Sequence, residues 1–259
     1  MGKVRYEING SLEKYRKFIL QIKDFFPLNG ETIYKKRNEI KIIYHEGNKL
    51  CVKSFGNNNP INRLVYSGLR PSKAKRSYLY AKRLLSKNIK TPEPVAYVEY
   101  YNKIGILQNS YYISLYFEHD FALKQVFGFD LQQRAQILPH FAHYIYHYLH
   151  KNGVIHKDLS PGNVLIKQQE NNKYEFALID LNRVSFKKSV NLKMGISNLK
   201  RFDGNVIDLS TIGFHYALNR GVNPDDTALK LCVKRFLFLF FRKKRKRVKK
   251  LVKNIFSWF

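Results

Sequence analysis

Apolar positions along the chain change from helical spacing to alternation and back. Phe18, Ile19, Ile22 and Phe25 fall near helical spacing within residues 11–26, which predicts a short helix on the outside of the first lobe. Residues 31–55 then alternate. β-branched runs at 32–34 and 40–44, a Glu46-Gly-Asn48 turn and Leu50-Cys-Val-Lys53-Ser-Phe55 predict three antiparallel strands. A loop at Asn57-Asn-Asn-Pro60 precedes a helix over 72–87 with the stripe Ala74, Tyr78, Ala81 and Leu85. Thr91-Pro-Glu-Pro94 closes that helix and leads into Val95-Ala-Tyr-Val98. Two further strands, at 104–108 and 111–116, complete an expected five-stranded sheet. Residues 131–152 read as a long helix, kinked or restarted at Pro139 and ended by Asn152-Gly153, with Leu138, Phe141, Ile145 and Leu149 as its core stripe. Residues 203–219 predict another helix, and Asn223-Pro-Asp-Asp226 has the cap, proline and acid order that opens one more.

Between two apolar segments lies a polar loop, Gly153-Val-Ile-His156-Lys157-Asp158-Leu-Ser160-Pro161-Gly162-Asn163, with an Asp and an Asn five positions apart. Phosphoryl transfer needs a carboxylate to orient or deprotonate the attacking hydroxyl, and a nearby amide oxygen that ligates magnesium without adding charge. Asp158 and Asn163 fit those roles. Downstream, Phe176-Ala-Leu-Ile-Asp180-Leu-Asn182 is an apolar strand ending on a carboxylate, so Asp180 is the candidate second metal ligand.

This ordered constellation resembles the catalytic core of the protein-kinase-like superfamily. The Ser160-Pro161-Gly162 filling and the Thr91-Pro-Glu-Pro94-Val-Ala-Tyr97 stretch are more similar to the lipopolysaccharide core kinases of the Kdo and heptose kinase type. The resemblance implies an α+β, bilobal protein-kinase-like fold with a small antiparallel-sheet N-lobe and a mainly helical C-lobe. The expected divisions are an N-terminal extension (1–30), N-lobe (31–117), C-lobe (118–222) and a basic amphipathic C-terminal helix or tail (223–259). It also implies ATP and Mg2+ as cofactors. Lys53 then holds the ATP phosphates, Cys51 lies near the adenine on the same strand face, the backbone around Glu118 meets the adenine edge, and His156 braces the loop. Two family features are missing. No glycine-rich loop precedes Lys53, the corresponding turn being Lys35-Lys-Arg-Asn38. No acidic residue lies between Lys53 and Glu93, so Ser77 or Lys75 stands where a helix Glu is expected, and Asp180 itself is one alternative partner for Lys53.

Composition narrows the setting. A formal charge of +28 points to polyanionic surroundings such as phospholipid, lipopolysaccharide or nucleic acid. Cys51 and Cys232 lie far apart without metal-type spacing, which fits a reducing cytoplasm, and no apolar run is long enough to cross a bilayer. His140, His143, His147 and His150 form a second stripe on the long helix, read either as a metal set or as a partly exposed polar face with His150 under the catalytic loop. The basic tail, with Val248, Leu251, Val252, Ile255 and Phe259 on one side and Trp258 near its end, reads as an interfacial helix on an anionic membrane. Its apolar run at 236–241 has a second option, packing on the C-lobe. The first functional reading is therefore an ATP-dependent kinase of a lipopolysaccharide inner-core sugar hydroxyl, Kdo or heptose, peripheral on the inner membrane and with no protein partner. The alternatives are a membrane- or RNA-binding pseudokinase, since nucleic acid is not excluded, and a small tRNA-modification-type kinase.

Overall fold

The computed structural model describes residues 2–55 and 70–256, and for side chains the description is nearly complete up to Val248. The expected loop at 57–60 and the terminal Trp258 and Phe259 lie outside the described residues. The chain forms two compact units, Met1–Glu118 with Ala177–Asn182, and His119–Phe176 with Arg183–Phe259.

The first unit is built on one six-stranded sheet. In chain order its elements are β1 (Val4–Ile8), a 3-10 turn (Gly10–Tyr15), α1 (Arg16–Leu20), α2 (Ile22–Leu28), β2 (Glu31–Lys35), β3 (Glu39–His45), β4 (Asn48–Ser54), α3 (Lys73–Leu85), β5 (Pro94–Tyr101) and β6 (Leu107–Leu115). The strand order is β1-β5-β6-β4-β3-β2. The sequence reading expected five strands and placed residues 1–30 outside the sheet. Instead β1 pairs antiparallel with β5, Tyr6 opposite Val98, and the two apolar pieces at 104–116 are one strand, β6. The short N-terminal helices are also not peripheral. Tyr15, Phe18, Ile19, Ile22 and Phe26 are buried against Leu50, Val52, Val98 and Ile113, at about 1.5–3 kcal/mol per large apolar side chain removed from water. The β3–β4 hairpin turns at Glu46 and Gly47, both with positive φ (47° and 72°), the conformation a two-residue turn needs to match strand twist.

Sheet alternation sends Leu50 and Val52 into that core and leaves Cys51 and Lys53 on the opposite face. There α3 contributes Ala74 and Tyr78 to a cluster with Phe55 and Tyr97. Its buried stripe ends on Leu84 rather than the expected Leu85. Ser72 caps α3, accepting from the Lys75 N–H at 3.0 Å.

The second unit is mainly helical. It holds β7 (Phe121–Ala122), α4 (Leu123–Val126), α5 (Leu131–Tyr144), β8 (Val154–His156), β9 (Val164–Gln168), most of β10 (Tyr174–Leu178), β11 (Val184–Phe186), α6 (Leu192–Leu199), α7 (Val206–Arg220) and α8 (Pro224–Phe256). The helix α5 continues through Pro139, where the sequence suggested a kink or restart, and widens instead to a π-turn over Ile145–His150. Gly153 follows with φ 72°, and a side chain there would collide with the Lys187 carbonyl across the β8–β11 pair. Asn223 starts α8 by accepting from the Asp226 N–H at 2.9 Å. The helix is continuous for 33 residues, and among its described side chains only Thr227, Ala228, Leu231 and Arg235 are buried, while Phe236, Phe240 and Phe241 stay exposed. The apolar run at 236–241 is thus mostly unpacked. Among the described residues no helix is long and apolar enough to cross a membrane.

Candidate active site

In the first unit the chemistry-bearing groups converge on Asp180. Lys53, from the α3-facing side of β4, pairs with Asp180 Oδ1 at 2.5 Å. The same oxygen accepts from Asn182 Nδ2 at 2.7 Å. Asp180 sits in the left-handed region (φ 57°), a conformation that short polar side chains tolerate best and that recurs at functional positions. The strand leading to it is tied down where β10 ends. Thr91 donates to the Leu178 carbonyl at 2.7 Å, and the Leu178 N–H donates to the Lys90 carbonyl.

Neither residue named from the sequence as the helix counterpart reaches this cluster by a hydrogen bond. Ser77 donates to the Lys73 carbonyl, one turn back on its own helix, and Lys75 lies over the Tyr97 ring. Arg76 reaches it instead. Its buried guanidinium donates to the Asn182 carbonyl at 2.9 Å and to the Ser72 carbonyl at 3.3 Å. The helix thus holds the Asp180–Asn182 turn through backbone, using a cation where an acid was expected. Sequence reasoning passed over Arg76 because one arginine among 47 basic residues carries no signal without its burial.

Cys51 and Lys53 lie opposite Ser114 and Tyr112 of β6. Burial pushes the Cys51 thiol up to about 11, with Lys53 pulling the other way, so at neutral pH it is a protonated packing group. The Glu118 carboxylate pairs with Lys49 at 2.9 Å, and the Tyr116 N–H donates to the Lys49 carbonyl.

The second unit holds the loop residues. His156 is fully buried at the end of β8, and its Nδ1 accepts from the Asp158 N–H at 3.2 Å. Asn163 donates through Nδ2 to the Asp158 carbonyl at 2.9 Å, which directs the amide oxygen away from that bond. Two arginines flank the Asp158 carboxylate, Arg201 at 3.2 Å on Oδ1 and Arg183 at 3.4 Å on Oδ2. Underneath runs a polar chain. Asn198 donates to the His156 carbonyl at 2.8 Å and accepts at 3.1 Å from His150 Nε2, while His150 Nδ1 meets the Tyr216 hydroxyl at 2.8 Å. Burial lowers the His150 pKa to about 4, so the ring is neutral. Since Nε2 faces an amide oxygen, the proton sits there, and Nδ1 accepts from Tyr216.

Two of the other histidines of the stripe pair with one another, their ring centroids 4.2 Å apart. His143 and His147 both contact Asn219 Oδ1, and His140 packs edge-on against Tyr174. Arg183, Arg201, Asn198 and Tyr216 were not singled out as site residues in the sequence, because each reaches the loop, or His150 beneath it, from more than 20 positions away.

The Asp180 carboxylate of the first unit and, separately, the Asn163 amide oxygen of the second are hard oxygen groups of the kind that magnesium takes.

Comparison with known proteins bears on the same region. The family model described as "Lipopolysaccharide kinase (Kdo/WaaP) family" matches residues 49–215, from β4 into α7. A solved structure titled "WaaP in complex with acyl carrier protein" aligns with a TM-score of 0.60 and 16% identity, covering 93% of this chain and 98% of that one. That likeness speaks for the fold. No curated protein sequence matches the chain. The family match spans well over half the chain, including Lys53, Asp158, Asn163 and Asp180, and the protein belongs to the lipopolysaccharide kinase (Kdo/WaaP) family of phosphotransferases.

Proposed function

We propose that the protein is an ATP-dependent, magnesium-requiring kinase acting on a sugar hydroxyl of the lipopolysaccharide inner core, Kdo or heptose, presented at an anionic membrane surface. The observation that carries this reading is the Lys53–Asp180–Asn182 cluster, kept with its left-handed backbone although the helix acid is gone.

Asn163 and Asp180 would hold magnesium, which when bound offsets negative charge on the phosphoryl oxygens. Lys53 holds the nucleotide phosphates and orients Asp180. Cys51 lines the adenine side, and the backbone at Glu118 meets the adenine edge. Asp158 receives the acceptor hydroxyl's proton at a carboxylate oxygen as that hydroxyl takes the phosphoryl group. His156 fixes the backbone under Asp158, and Arg183 and Arg201 fix its carboxylate.

The test is transfer of label from ATP, with magnesium, to intact and to deacylated lipopolysaccharide. Label in the saccharide is expected. Nucleotide binding without transfer to any acceptor would favour the pseudokinase reading. A second partner is raised by the WaaP structure solved with acyl carrier protein. Although the sequence led us to expect no protein partner, co-elution of purified carrier protein with this chain would add one.

A further inference from the structure

On the second unit, an open cleft of about 550 Å³ lies between the end of α6 and the exposed part of α8. Its polar lining is Lys200, Arg201, Lys234, Arg242 and Arg245, with no acidic residue among the lining groups. Its apolar lining is Leu237, Phe238 and Phe241. Phe238 is the centre: Lys200, Arg201, Arg235 and Arg242 all lie within 6.0 Å of its ring centroid. One ring does not offset the mutual repulsion of four cations, since an exposed cation–π contact is worth only about 0.5–1 kcal/mol. Arg235 is answered by Asp203 at 2.7 Å and Arg201 by Asp158. The crowding is felt at Lys200, whose pKa is lowered by burial and by Lys234 and Arg201.

We infer that this cleft is a binding site for the phosphate-bearing headgroup of a membrane lipid, with the phosphate among Lys200, Arg201 and Arg242 and the adjoining apolar part on Leu237 and Phe241. Charge complementarity selects an anion, and the leucine beside the two phenylalanines selects an amphiphile over a stack of bases. Phe240, exposed on the same helix with its ring 5.6 Å from that of Phe241, borders the apolar part. A phosphate monoester, with up to two charges in one group, matches cations gathered on one ring better than the single spread charge of a diester. Arg201 reaches both the cleft and Asp158, so a headgroup held here lies one side chain from the candidate base. The choice of a lipid rests on the acceptor being lipid-linked. Binding is read without transfer, so this inference and the kinase reading fail separately.

The experiment is co-sedimentation of the full chain with phosphatidylcholine vesicles containing phosphatidic acid, or phosphatidylserine at equal charge. The variants are Lys200→Gln/Arg242→Gln, and Lys243→Gln/Lys244→Gln, which removes the same charge from α8 outside the cleft. We expect tighter binding to phosphatidic acid, lost about tenfold in the cleft pair and much less in the control pair. Equal losses in the two pairs, or equal binding to both anionic lipids, would overturn the site. So would full displacement by a single-stranded RNA oligonucleotide, or glycerol 3-phosphate in solution competing as well as the lipid. Circular dichroism of both pairs guards against misfolding. If the cleft pair is unfolded, Phe238→Leu replaces it, with the same loss expected and unchanged binding counting against the site.

Discussion

Asp158 has two arginine partners, a buried histidine under its backbone and an asparagine on its carbonyl, so its position is set from four directions. Replacing it with alanine removes the acceptor's proton partner and leaves Lys53 and Asp180 untouched. Transfer should fall by about 10²–10⁴-fold, with nucleotide affinity nearly unchanged by calorimetry. Unchanged turnover would mean that this loop is not the catalytic one. Lys53→Met should behave differently, weakening nucleotide binding in the same calorimetry as Asp180 loses its ammonium partner. His150 makes a pH prediction. Its folded pKa of about 4 lies below the ordinary 6.5, so the neutral ring is fully accommodated above pH 6.5. As pH falls below that value the unfolded chain takes up a proton that the folded chain refuses, and stability drops until about pH 4, by about 3 kcal/mol in all. Denaturant melts at several pH values should show that slope in the parent and a flatter one in His150→Gln.

At the scale of elements, what holds the N-terminal helices to the sheet is partly one buried lysine. Lys41 on β3 is 7% exposed and donates to the carbonyls of Phe26, Pro27 and Asn29 at 2.8, 3.2 and 3.2 Å. These are groups at the C-terminus of α2, where a cation meets the negative end of the helix dipole. Lys41→Met keeps the apolar stem but leaves those carbonyls unanswered, and should cost about 1–3 kcal/mol by urea denaturation. No loss would show that water replaces the ammonium. The helix α3 shows how an element can be legible while its key residue is not. Its apolar stripe was readable, but Arg76 sits beside that stripe and matters because it reaches Asn182, 106 positions away. Residues 1–30 show the reverse. Val4–Ile8 is a strand because β5 offers a free edge, a fact that no local pattern contains.

For the whole molecule, a charge of +28 and a last helix of 33 residues, about 50 Å long, belong together. Full-length protein should float with anionic vesicles and not with neutral ones. A chain ending at Phe241, which lacks most of the basic half of α8, should lose most of that binding, and salt should weaken what remains as the Debye length shrinks. Equal flotation of the two chains would remove the helix from the membrane argument. The sequence by itself determined the three strands of 31–55 and most of the long helices, the Asp158–Asn163 loop with Asp180 downstream, and the family they indicate, because spacing along one segment is local information. Only the tertiary structure decided that β1 completes the sheet and that Asp180 is the partner of Lys53. It alone placed Arg76 on the Asn182 carbonyl, and Arg183 and Arg201 on Asp158. These pairings join residues separated by about twenty-five to more than a hundred positions, and which of many lysines and arginines is buried beside a given acid is fixed only when the chain packs.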